Sequence, residues 1–237
     1  MSEVMRVMLF RRHKDSGAPV PRADLASVVT KDGDKRYKDK RSLPGYVIAL
    51  AQRRFLSMLG LEMKALDKTK RSETDVKKKM TAALAAAAGA PDTGARAYVL
   101  RSALPAHLRA SYVDREADAA LRGLTMVVLS LVAIAGEGGI AEDTLWSQLG
   151  SLSFARSVKG HAALGDADAA LESLVKMRYV QRNKAAGPDG ERKMVELAEN
   201  GLDEPGAARI SAFIADTMKA RVGAAGRRGE SDDEDDD

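Results

Sequence analysis

Residues 164–197 read LGDADAALESLVKMRYVQRNKAAGPDGERKMVEL, and the period of their apolar residues changes partway along. From Asp166 to about Met177, Ala170, Leu171, Leu174 and Val175 recur at helical spacing. Asp166 stands where a carboxylate accepts the free N–H groups of a first helical turn. Residues 178–184 and 191–197 then read as two strands. The turn between them, AAGPDG at 185–190, has Pro and Gly where a hairpin needs them. A helix feeding a two-stranded hairpin is the second half of a winged helix.

The first half lies just upstream. Leu121 to Ala135 is apolar almost all round, so it is expected to be the most buried helix. Gly136, Gly138 and Gly139 make a turn, and Glu142 to Leu149 a short second helix carrying Leu145 and Trp146. A closing helix is expected from Pro205 to Lys219 through Ile210, Phe213 and Ile214, with disorder beyond Arg221.

The same order of elements appears earlier. Residues 4–12 put apolar positions on one helical face and Arg on the other. A second helix follows Pro21, with Leu25, Val28 and Val29 inward. The third, Gly45 to Leu59, offers Val47, Ile48, Leu50, Ala51, Phe55, Leu56 and Met58 to a core. Residues 61–67 and 96–105 read as strands that flank a charged, Ala-rich stretch at 68–95, which reads as a mobile insertion. The fold class is therefore mainly α with small β-wings, in tandem winged-helix domains. The expected boundaries are 1–110, 111–222 and a disordered acidic tail at 223–237.

The totals narrow the function. The absence of cysteine excludes disulfides, Cys-liganded zinc and thiol catalysis. Arg6, Arg11 and Arg12 interrupt the first apolar stretch, which argues against a secretory signal. The longest apolar run, Leu124 to Ala135, has 12 residues, whereas a membrane span needs about 20. A soluble intracellular protein is expected. The net charge of +4 includes seven acids in ESDDEDDD at 230–237, so the remainder is +11. A basic body of this kind suggests a polyanionic partner.

His13, His107 and His161 are scattered, and no HExxH, P-loop or GxSxG is present. Neither an enzyme, a metal site nor a cofactor is expected. Asp168 and Glu172 on the third helix of the second domain would repel phosphate, so base reading by that helix is not expected. The DNA candidates are Lys176, Arg178, Arg182, Lys184, Arg192 and Lys193 on the helix end and wing, extended by Arg156 and Lys159. They are weighed against a solvated wing in which these bases pair with Asp189, Glu191 and Glu196. Residues 31–41 and Lys77 to Lys79 form a second possible basic patch, and the acidic tail is a candidate competitor for either.

Four fragments together carry a family resemblance. GLTMVVLSLVAIAGEGGIAEDTLWSQL (123–149) resembles the most characteristic segment of the MAGE family. The stretch at 164–197 is similar to the family's helix and hairpin. YVLRSALP (98–105) and VMRVMLFRRHKDSGAPVPRADL (4–25) resemble the branch that serves as a non-SMC element of the DNA-repair SMC complex. The departures are Asp168, where the family often has a proline or basic residue, Val195 or Leu197 in place of an aromatic, and the insertion.

The resemblance implies a nuclear, non-enzymatic scaffold with three partners. One is a RING-type first non-SMC element of ubiquitin-ligase type, contacted through Met8, Leu9 and Phe10. Another is a kleisin, the fourth non-SMC element, docked near Leu124, Val128, Leu171 and Val175. The last is double-stranded DNA, held without sequence specificity. By periodicity alone these apolar residues also read as ordinary core. A sequence-specific winged-helix regulator and a ligase adaptor without DNA contact are the alternatives.

Overall fold

The computed structural model describes residues 1–14, 17–31, 42–66, 96–113, 118–136, 138–157, 159–187 and 190–229. The chain divides into two compact units, Met1–Glu116 with Lys176–Arg178, and Ala117–Val175 with Tyr179–Asp237.

The first unit runs α1 (Ser2–Lys14), β1 (Val20–Pro21), α2 (Arg22–Lys31), α3 (Leu43–Leu59), β2 (Leu61–Leu66), β3 (Ala97–Ser102) and α4 (Ala106–Tyr112). Its sheet has the order β1-β3-β2 and is antiparallel throughout. The second unit repeats the plan with α5 (Ala119–Ala135), β4 (Ile140–Ala141), α6 (Glu142–Ser151), α7 (Ala167–Lys176), β5 (Val180–Gly187) and β6 (Gly190–Leu197), and its sheet order is β4-β6-β5. Each unit is thus a winged helix. The two-residue strands β1 and β4 are too short to leave a period in the sequence. Each adds a third strand beside the returning strand of its wing.

The core of the first unit is built from Val4, Met8, Val20, Leu25, Ile48, Ala51, Phe55, Met63, Tyr98 and Leu100. Apolar side chains closed off this fully contribute on the order of 2 kcal/mol each. On α3 the buried positions are Gly45, Ile48, Ala51 and Phe55. Leu56 sits about 100° further round the helix and Met58 lies in its last turn. Both are exposed, contrary to the core role their hydrophobicity suggests. Gly60 ends α3 at φ 59, a left-handed conformation that glycine adopts without steric cost.

In the second unit α5 buries Leu124, Thr125, Val128, Leu129, Ser130 and Val132, while Ile134 in its last turn is exposed. Asp166 caps α7 as expected, its Oδ1 accepting from the N–H of Asp168 at 2.9 Å and of Ala169 at 3.3 Å. The hairpin ladder is longer than the turn residues suggest, since Gly187 still pairs with Gly190.

After β6 the chain forms a short helix, α8 (Glu199–Gly201), a single π turn (Leu202–Gly206) and a long helix, α9 (Ala207–Gly229). Ile210 is buried and Ile214 half-buried, but Phe213 is exposed, so the helix docks by a narrower stripe than predicted. Helix α9 also continues past Arg221, where disorder is expected. Ala220, Ala224 and Ala225 favour helix, and Gly223 and Gly226 do not interrupt it before Gly229. The segment after Pro105 is also helical, as AHLRASY contains two alanines, Leu108 and Arg109, all good helix formers. The insertion at 68–95, all but the first residue of the basic loop at 31–41 and the acidic stretch at 230–237 lie outside the described residues.

Candidate nucleic-acid and partner interfaces

On α1 the three residues singled out from the sequence separate by burial. Met8 is 1% exposed and belongs to the core. Leu9 is 41% exposed and Phe10 67%, which places them on the outer side of the helix. The side chain of Arg12 donates to the Leu100 carbonyl oxygen, tying α1 to β3. Arg11 and Asp24 join α1 to α2 at 3.4 Å.

The four residues proposed for a kleisin behave differently. Leu124, Val128 and Leu171 are buried in the second unit, and Val175 is half-buried. Only Val175 keeps part of its side chain at the surface; the other three are closed in.

The basic candidates fall into two groups. Arg156, Arg182 and Lys184 are held by carboxylates. Arg156 bonds Asp168 at 3.1 Å and lies over the Trp146 ring, 5.7 Å from its centroid. Trp146 in turn stacks with Phe154, whose ring meets His161 edge-on. Arg182 reaches Glu172 on α7 at 2.6 Å and Glu142 at the start of α6 at 3.3 Å. Lys184 bonds Glu191 across the hairpin at 2.7 Å. Glu196 accepts from the side-chain amides of Gln181 and Asn183 rather than from a base. Asp189 lies outside the described residues.

Of the second group, Lys159, Lys176, Arg192 and Lys193 are exposed, while Arg178 is half-buried. Lys193 stands directly opposite Lys184 in the ladder and forms no ion pair among the described residues. Side chains alternate along a strand, so Arg182, Lys184 and Lys193 share one face of the wing, and Arg192 projects from the other. Arg178 has φ 59, a left-handed conformation uncommon for a residue with a side chain.

The acidic edge of α7 foreseen in the sequence is therefore real but occupied, Asp168 by Arg156 and Glu172 by Arg182. Glu142 escaped the sequence reading. It is 5% exposed, an acid at the first position of α6, and joins through Arg182 a wing some 40 residues away. No local period marks such a pairing. His161 is half-buried with its ring against Phe154, and its Nδ1 accepts from the Ala163 N–H. Among the described residues no group of three His, Cys, Asp or Glu is placed to hold a metal ion. No helix among them is long and apolar enough to cross a membrane.

A solved structure of an Nse1-Nse3-Nse4 complex contains a chain similar to this one, with a TM-score of 0.66 and 20% identity over 92% of this chain and 88% of that one. No curated protein is similar enough in sequence to match. The model of the MAGE homology domain matches residues 4–207, which takes in both winged helices. The chain belongs to the MAGE homology domain family.

Proposed function

We propose that this protein is a non-enzymatic scaffold subunit of an SMC-type complex for DNA repair and chromosome maintenance, acting in the nucleus. In this reading it joins a RING-type subunit of ubiquitin-ligase type to a kleisin subunit and touches double-stranded DNA without reading its sequence. The observation that carries the proposal is the likeness, across both winged helices, to a chain of a three-component Nse complex.

The RING-type subunit is assigned to Leu9 and Phe10, because an amphipathic helix with large apolar groups on its outer side is a docking element. The kleisin is assigned to the second unit, with Val175 as its reachable contact. DNA is assigned to the wing, where Lys184 and Lys193 face each other. Like charges directly across a ladder repel, and a phosphate between them removes the repulsion. Such contacts position a duplex without reading bases.

The pairing of Arg156 and Arg182 with carboxylates favours a second reading, an adaptor of ubiquitin ligases with no DNA contact. Co-expression with a RING-type protein and a kleisin from the same genome, followed by gel filtration, tests the scaffold. A ternary complex that loses the RING-type protein on Leu9→Ala plus Phe10→Ala supports it; no complex with either partner overturns it. Salt-dependent binding of a duplex by the isolated chain separates the two readings.

A further inference from the structure

The charge of the protein is unevenly shared. The described residues of 1–113 carry twelve bases against three acids, Glu3, Asp24 and Glu62, a formal +9. Those of 118–229 carry fourteen against twelve, a formal +2. The excess that suggests a polyanionic partner therefore sits in the first unit.

The third helices of the two units also differ. The edge of α7 bears Asp168 and Glu172, whereas α3, LPGYVIALAQRRFLSML, has no acid. The buried side of α3 is defined by Ile48, Ala51 and Phe55. At about 3.6 residues per turn, Tyr46, Arg53 and Ser57 fall within roughly 40° of one another on the opposite side, with Arg54 beside them. All four are exposed, Tyr46 at 63%. Neither Arg53 nor Arg54 forms an ion pair among the described residues, unlike Arg6 with Glu3 and Arg11 with Asp24.

We infer that the outer face of α3, through Tyr46, Arg53, Arg54 and Ser57, is a DNA-contacting surface of the first unit, distinct from the wing of the second. The inference rests on the DNA part of the proposed function and gives it a second site. The third helix of a winged helix is the element that enters a groove. A phenol, a hydroxyl and two guanidiniums are donors suited to phosphate oxygens. The exposed Leu56, Met58 and Leu59 lie at the C-terminal end of the helix, and Leu56 and Leu59 fall to one side of this face. The competing occupant is an acidic protein segment.

Binding of the full-length chain to a fluorescent 25-base-pair duplex, titrated across salt concentration, tests this. Arg53→Ala with Arg54→Ala is expected to lower affinity about tenfold at low salt and to reduce the slope of log affinity against log salt by about two. Arg53→Lys with Arg54→Lys is expected to keep most of the affinity, because an ammonium still neutralises phosphate. The melting temperature should not move, since both side chains are exposed.

If the double alanine variant binds like the parent while Lys184→Ala with Lys193→Ala weakens binding, this surface is refuted and the wing stands. If the parent binds no duplex at low salt, the DNA reading itself fails and takes this site with it. If the double alanine variant loses binding to polyglutamate but not to the duplex, the face serves an acidic protein and the inference is overturned.

Discussion

Lys184 and Lys193 are cross-strand partners, held directly opposite each other three rungs along the β5–β6 ladder from its Gly187–Gly190 end. Glu191 pairs with Lys184, and Lys193 forms no ion pair among the described residues, so the two lysines retain a net positive charge on one face. Like charges so placed cost on the order of 0.5 kcal/mol. Lys193→Thr should therefore raise stability slightly at low salt, by up to about 0.5 kcal/mol, and lower duplex affinity. Urea unfolding and anisotropy on the same preparation check both signs. A variant that loses stability, or binds DNA unchanged, contradicts the assignment of the wing.

Arg182 is the counter-example on the same face. Its guanidinium spans Glu142 and Glu172, and the Glu142 side chain is only 6% exposed. Arg182→Ala leaves that carboxylate buried without its partner. The expected loss is about 2 kcal/mol, below the range for wholly buried pairs because Arg182 retains 29% of its exposure. Adding Glu142→Gln should recover part of it. If the single variant unfolds at the parental urea midpoint, the clasp carries no stability.

Two glycines are constrained for different reasons. Gly201 has an ordinary φ of −65, but a Cβ there would meet the Tyr179 carbonyl oxygen at 2.3 Å and Leu129 Cδ2 at 2.8 Å. Gly139 combines φ +72 with a Cβ position 2.3 Å from the Val195 carbonyl oxygen. Gly60 has φ +59 and open space. Alanine should cost about 1 kcal/mol at Gly60, about 2 kcal/mol or more at Gly201, and most at Gly139, where both penalties apply. Thermal melts of the three variants give the order directly.

The α1 residues separate packing from docking. Met8→Ala should destabilise by about 3 kcal/mol, as truncations in a closed core do. Leu9→Ala with Phe10→Ala should change stability by less than about 0.5 kcal/mol while removing the RING-type subunit in co-purification. Loss of that subunit with Met8→Ala alone, in a still-folded protein, would place the contact elsewhere.

What the sequence revealed follows from the range of each interaction. The two winged helices were legible because Ile48, Ala51 and Phe55, and likewise Ala170, Leu171 and Leu174, repeat at helical spacing. The cap at Asp166 was legible because a cap is local. Strands β1 and β4 were not, since two residues hold no period. The candidate surfaces were legible only in part. A basic residue at 182 looks the same in one-letter code whether it faces solvent or Glu142, and Leu124 the same whether it faces a partner or the core. Hydrophobicity likewise could not tell Phe55 from Leu56; only the direction of the neighbouring elements did.

The first wing closes its ladder at the point where the chain departs. Leu66 pairs with Ala97, and the Arg96 N–H donates to the Leu66 carbonyl oxygen at 3.2 Å. The ends of the intervening segment are thus fixed by the sheet itself, and the entropy of closing a loop rises only as the logarithm of its length. The stretch of sequence between Leu66 and Arg96 is therefore a natural splice point. A reporter domain whose own termini lie close together can be inserted there, giving a way to track the protein in an assembly while both ends of the chain stay native.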